Sequence, residues 1–212
     1  MQRPVIGRAR DRRRYAAGAL FAVLAAAIVV SDQLLKQWIV ANYEPCGLTE
    51  PCRPTQIVGD WLRIDFIHNA GGLFGLFQGT APVFALVTIV VVGIIVAMEF
   101  RWGWRSPLMT LALGLLLGGA IGNFIDRIRL GYVVDFADIG IGTLRWYIFN
   151  IADAAVTCFF LLLIVMWIFA PGALSTHDDR KGGEGEGKGA SQAGLGAEAA
   201  TSEGGAQGPV AG

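Results

Sequence analysis

From Ala81 to Met98 the chain runs for eighteen residues without a charged side chain, through Val83, Val87, Ile89, Val90, Val91, Val92, Ile94, Ile95 and Val96. At about 1.5 Å rise per residue, a helix of that length approaches the ~30 Å hydrocarbon core of a bilayer. Three more runs are long and mainly apolar, over residues 15–40, 107–125 and 150–170, though the first holds Asp32 and Lys36 and the last Asp153. The first follows a basic start, residues 1–14, which resembles a secretory leader. It continues past Ser31, Asp32 and Gln33 to Val40, too long for a leader's apolar segment, and reads as an uncleaved first helix. With 54% hydrophobic residues, the chain is too apolar for a soluble domain of 212 residues. The expected fold class is an all-α membrane protein with four transmembrane helices.

The stretches between the runs are polar. Leu62, Ile64 and Phe66 alternate with Arg63, Asp65 and Ile67, a strand-like pattern between the turn signals Gly59-Asp60 and Asn69-Ala70-Gly71-Gly72. Open strands are not tolerated in lipid, so this segment is expected at the interface, as a small β-rich extracytoplasmic cap. Glu99–Arg105 reads as a short loop with two tryptophan anchors, and residues 126–149 as a second interfacial loop. Glycines 114, 118, 119 and 122 in the third run predict close helix contacts. Residues 171–212, with 12 of the 29 glycines, read as a disordered tail.

Charge places the ends. Eleven Lys and Arg lie in the first 14 residues, the loop after the second run and the tail, against five in the two remaining connections. Both termini are therefore expected on the cytoplasmic side, with the polar connections facing outward. Net charge is zero and the basic residues outside the N-terminus are scattered among acids, which argues against nucleic acid. No Cys/His spacing suggests a metal, and no cofactor is expected. Cys46 and Cys52 flank a short outward loop and are candidates for a disulfide.

This topology collects the unusual polar residues in one outer layer: Asp32, Lys36, Asn69, Asn123, Asp126, Arg127, Asp135, Asn150 and Asp153. Structural roles account for several of them. Asp32 and Lys36, at i and i+4, neutralise one another. Asp126 and Arg127 form a natural ion pair. Asn150 is placed to cap the fourth helix, with Asp153 at the third helical position. Asp138 is expected on the surface, outside the site. Asp135 sits alone in the apolar run Val133-Val134-Asp135-Phe136. Two carboxylates in a partly apolar pocket cannot both ionise easily, and one then keeps a proton while the other acts as a base. On the residues alone, Asp126 and Asp135 both qualify as partner to Asp153.

Five blocks resemble the lipoprotein signal peptidase (signal peptidase II) family of bacteria: Ser31-Asp32-Gln33-Leu34-Leu35-Lys36, His68-Asn69-Ala70-Gly71-Gly72-Leu73-Phe74, the stretch Gly118 to Arg127, Val133-Val134-Asp135-Phe136 and Phe149-Asn150-Ile151-Ala152-Asp153. The resemblance spans about residues 15–170. It implies an intramembrane aspartic endopeptidase that removes signal peptides from diacylglyceryl-modified prolipoproteins, on the amino side of the lipidated cysteine. It implies Asp135 and Asp153 as the catalytic pair. Asp32, Lys36, Asn69, Gly119, Asn123, Asp126, Arg127 and Asn150 are its implied support. It also implies a monomer in the bacterial plasma membrane, in contact with membrane lipid and inhibited by the cyclic peptide globomycin. Gly72-Leu73 departs from the family's usual small pair, and the Cys46–Cys52 insert and glycine-rich tail lie outside its core. A competing class, a proton-coupled carrier or channel subunit, is expected to carry ionisable groups through the full membrane depth.

Overall fold

The computed structural model describes residues 5–46, 54–71 and 81–169. Elements follow the order α1 (Val5–Asn42), β1 (Thr55–Val58), β2 (Leu62–Asn69), α2 (Ala81–Trp102), α3 (Pro107–Leu130), β3 (Val133–Ile141), β4 (Leu144–Arg145) and α4 (Ile151–Phe169). Four helices are long and apolar enough to cross a membrane: Asp11–Asn42, Pro82–Trp102, Pro107–Leu130 and Ile151–Phe169. The fold is the helical membrane protein with a β cap that the sequence predicts.

Its helices run further than their apolar stretches. The basic start belongs to α1 from Val5 on, because Arg and Lys are good helix formers and the apolar run supplies the nucleus. Met98 does not end α2, which continues to Trp102 before a single 3-10 turn at Gly103–Arg105. Ile125 does not end α3 either. That helix stops at Gly131, whose φ of 78° is the left-handed conformation glycine adopts without strain. Its start is set by Ser106, which accepts a bond from the Met109 amide, and by Pro107 behind it.

Helix α3 is central and packs against α1, α2 and α4. Small residues make this possible. A Cβ on Gly119 would lie 2.5 Å from the Ala152 carbonyl oxygen of α4, and one on Gly122 would lie 2.8 Å from Asp32 Oδ2 of α1. Outward faces stay apolar, with Val83, Val87, Val90 and Ile94 of α2 and Leu161, Ile164 and Ile168 of α4 exposed toward the lipid region.

The second interfacial loop expected over 126–149 is instead mostly the end of α3 and a hairpin. The four strands form one antiparallel order, β1-β2-β3-β4. Between Ile64↔Ala137 and Ile67↔Asp135 the register slips, so β2 carries a bulge beside Asp135. One sheet face packs Phe66, Val134 and Phe136 on Ile39 of α1. Asp135 takes the other face by alternation. Ala137 then pairs with Phe149, which delivers the start of α4 beside β3.

Asp138 corrects the sequence reading. It is buried, and it accepts from Arg63 Nε at 3.0 Å and Arg145 Nε at 2.7 Å. Asp60 joins both arginines, so the turn between β1 and β2 is clamped to the β3–β4 turn. Cys46 is disulfide-bonded and Cys158 is a free thiol. The proposed partner Cys52, the Gly72-Leu73 departure and the 171–212 tail lie outside the described residues.

Candidate active site

Every polar residue singled out in the outer layer, and the glycine at 119, comes to one place, where α1, α3, the sheet and the start of α4 meet. The site has a charged floor. Lys36 Nζ lies 2.8 Å from Asp32 Oδ2 and 2.8 Å from Asp126 Oδ2, with all three side chains at most 4% exposed. Asp126 therefore pairs with Lys36, and among the described residues no ion pair joins it to Arg127, contrary to the sequence expectation. Helix geometry explains this, because adjacent residues point about 100° apart and do not face each other.

Each floor carboxylate also ties down backbone. Asp32 Oδ1 accepts from the Ala152 amide at 3.0 Å, one of the four N–H groups that the start of α4 leaves without an intrahelical partner. Asp126 Oδ2 accepts from the Val134 amide at 3.1 Å, fixing the residue before Asp135. Gln33 Nε2 bridges Asp126 Oδ1 at 2.9 Å and the Gly122 carbonyl at 3.2 Å. Gln33 was not among the sequence-predicted site residues. Nothing but its place between Asp32 and Lys36 could have flagged it.

Above the floor sit three carboxamides, and each has its oxygen occupied. Asn123 Oδ1 accepts from Lys36 Nζ at 3.1 Å and Asn150 Nδ2 at 3.0 Å. Asn150 Oδ1 accepts from the Asp153 amide at 2.9 Å, and Asn69 Oδ1 from the Gly71 amide at 3.1 Å. Their NH2 groups are left to face carboxylates. Asn150 Nδ2 donates to Asp135 Oδ1 at 2.6 Å, Asn69 Nδ2 to Asp135 Oδ2 at 2.9 Å, and Asn123 Nδ2 to Asp153 Oδ1 at 2.7 Å. Asp135 and Asp153 are thus joined through Asn150 and Asn123. Asn150 and Asp153 also form a reciprocal cap, with Asp153 Oδ2 accepting from the Asn150 amide at 3.4 Å.

Asp135 is fully buried, whereas Asp153 is half-buried. The Asp135 carboxyl is pushed up to about 7, by burial first and by the Asp153 charge second. The bonds from Asn69 and Asn150 and the charge of Lys36 pull the other way. Near neutral pH the pair therefore holds a proton that a solvated carboxylate would have lost.

Arg127 stands to one side. Its Nη1 donates to the Asn123 carbonyl at 3.3 Å and its guanidinium lies 5.5 Å from the Phe84 ring centre. Its Nε is buried without a hydrogen-bond partner among the described residues. His68 takes no part, because it alternates to the opposite sheet face and stacks on Tyr132 at 3.8 Å. Tyr147, absent from the sequence reading, does take part. Its hydroxyl is 2.6 Å from Asn69 Nδ2 and 3.3 Å from Asp135 Oδ2. It lies in an irregular link, where no periodicity points to its direction. No group of three or more acidic, His or Cys side chains placed to hold a metal occurs among the described residues.

Residues 24–169 match the family model Peptidase_A8, described as signal peptidase (SPase) II. The chain belongs to the signal peptidase II family. It is 39% identical over 147 residues to the lipoprotein signal peptidase of Moorella thermoacetica, a match covering 69% of this chain and 90% of that one. The corresponding protein of Geobacillus thermodenitrificans is 40% identical over 152 residues, covering 71% and 91%. Two solved structures, each described as a bacterial membrane enzyme determined by the in meso method, superpose with a TM-score of 0.61. They are 28% and 31% identical, and the matches cover 92% and 93% of those chains. Signal peptidase II membership makes the chain a peptidase of the A8 class, and the carrier or channel reading has no support.

Proposed function

We propose that this chain removes the signal peptides of lipid-modified prolipoproteins as an aspartic endopeptidase, with Asp135 and Asp153 as the catalytic pair. The observation that carries the assignment is the position of these two carboxylates. They arrive from β3 and α4 and share one carboxamide relay, while Asp32 and Asp126 are already committed to Lys36 and to backbone amides. That division supports Asp135 over Asp126 as partner to Asp153.

In this reading one carboxylate takes a proton from water as it attacks the scissile carbonyl. The other, protonated, polarises the carbonyl oxygen through a hydrogen bond and gives its single proton to the leaving amine as the tetrahedral intermediate collapses. Asp153, less buried, is the base, and Asp135, whose proton is retained to about pH 7, is the acid. Arg127 and the asparagine amides supply positive potential where the tetrahedral oxyanion forms. The site opens on the outer face of the plasma membrane, both termini being cytoplasmic. The substrate's acyl chains lie in lipid against the apolar helix faces, and the enzyme works as a monomer.

The deciding experiment is cleavage of a lipidated precursor by purified enzyme and by its Asp135→Asn and Asp153→Asn variants. Each variant is expected to lose at least about a thousandfold in rate, in line with removing a group of an acid–base pair that acts as a unit. Globomycin is expected to block the wild type. A variant that keeps the wild-type rate would remove its aspartate from the assignment.

A further inference from the structure

We infer that the Tyr147 hydroxyl is a positioning group of the catalytic centre, fixing the Asp135 carboxylate and setting the pH range over which the aspartate pair holds its proton. The inference rests on the reading of Asp135 and Asp153 as that pair.

Three elements converge on the hydroxyl. Asn69 comes from the end of β2, Asp135 from the middle of β3, and Tyr147 from the link between β4 and α4. Tyr147 turns inward and is half-buried, while its neighbour Trp146 is 67% exposed. An amide NH2 only donates, so at the 2.6 Å contact the tyrosine oxygen accepts from Asn69. With that lone pair used, the hydroxyl proton has Asp135 Oδ2, at 3.3 Å, as its acceptor. Asn69 donates to the same oxygen at 2.9 Å, so the three groups close a triangle on Asp135 Oδ2. Burial first, and the charges of Asp135 and Asp153 after it, raise the pKa of the phenol itself, so Tyr147 remains a donor across the working pH range.

The effect on Asp135 follows from the groups around it. Asp153 of α4 raises its proton affinity, and Lys36 of α1 lowers it. Arg127 of α3 interacts with Asp135 as a positive charge, Asp126 of α3 is paired with Lys36, and Asn69 of β2 and Asn150 donate neutrally to the carboxylate. Tyr147 adds one more donor on the side of the ionised form. Removing its hydroxyl leaves the ring in place and takes away that donor, together with an acceptor that Asn69 Nδ2 uses, so the pair should keep its proton to higher pH.

The test uses purified full-length enzyme and initial rates of lipidated-precursor cleavage between pH 5.5 and 9. For Tyr147→Phe the alkaline limb of kcat is expected to move up by about half to one pH unit, less than a short bond to a carboxylate would give because the contact is 3.3 Å long, with KM within about twofold. With 3-fluorotyrosine at position 147, a stronger donor of almost the same shape, the limb is expected to move down. That variant also serves if Tyr147→Phe does not fold. Limbs that superimpose on the wild type, or that move in the opposite directions, overturn the inference. An Asp135→Asn control separates the two levels: if it is inactive and the limbs do not move, only the role of Tyr147 fails. If it is active, the catalytic assignment fails and takes this inference with it.

Discussion

The three asparagines have one design. In each, the carbonyl oxygen is held by a donor, from Lys36 and Asn150, from the Asp153 amide, or from the Gly71 amide. Amide rotation is thereby settled, and the NH2 groups are presented to Asp135 and Asp153 without reorganisation. A bond of this kind to an ionised acceptor is worth about 1.5–3 kcal/mol, and leaving a buried carboxylate without it costs a similar amount. Asn150 combines two jobs, since its oxygen caps α4 and its NH2 reaches Asp135. Aspartate caps a helix about as well as asparagine but has no NH2 to donate. Asn150→Asp is therefore expected to keep α4 and lose the relay. Thermal unfolding in detergent should show a folded protein, while precursor cleavage should fall by at least about a hundredfold. Cleavage within about tenfold of the wild type, in a variant that stays folded, would mean that the NH2 donor of Asn150 is not what the reaction needs.

Among elements, α3 decides how close the aspartates come. Gly119 lies one turn before Asn123, and its missing side chain lets the first turn of α4, with Asp153, rest on α3. A Cβ there would sit 2.5 Å from the Ala152 carbonyl oxygen and 2.7 Å from Val156 Cγ2. A backbone carbonyl cannot swing aside, so the start of α4 must retreat. Misplacement of a catalytic group by about 1 Å lowers rates by about a hundredfold. Gly119→Ala is expected to reduce cleavage by about ten- to a hundredfold. Gly93→Ala, on the exposed face of α2 with no atom within 4 Å of the added methyl, is expected to leave the rate unchanged. The glycine-rich face was readable in the sequence, because spacing on a helix maps directly to a face. Helix ends were less readable. Arg127, Arg129 and Leu130 continue α3 although the apolar run stops at Ile125, since propensity and a glycine cap, not hydrophobicity, end it. Asp138 was misjudged because its two arginine partners lie 75 and 7 residues away, and long-range pairing leaves no local pattern.

At the scale of the whole molecule, the order of four apolar runs was enough to bring nine polar side chains to one layer. The membrane limits a chain to few arrangements, so a sequence constrains topology here more tightly than in water. The proposed choice of Asp135 over Asp126 as partner to Asp153 was not accessible from topology alone. It depends on which of them find a cation: Asp32 and Asp126 share Lys36, and Asp135 takes only amide and hydroxyl donors. The same difference links catalysis to stability. Asp135 holds its proton to about pH 7 in the folded protein, whereas a solvated aspartate loses it near pH 4. Between these two values Asp135 binds more protons in the folded state than in the unfolded one, so its contribution to stability falls as pH rises from about 4 to about 7 and levels off above. Asparagine at position 135 does not titrate. It carries a fixed mismatch instead, since its NH2 faces a donor, and that penalty is the same at every pH. Melting temperatures of wild type and Asp135→Asn in detergent should therefore change relative to each other across this window. The variant is expected to gain on the wild type from pH 4 to pH 7, and the difference is expected to stay constant from pH 8 to pH 9. A difference that does not vary with pH would place the Asp135 carboxyl near its ordinary value and remove it as the proton-holding member of the pair.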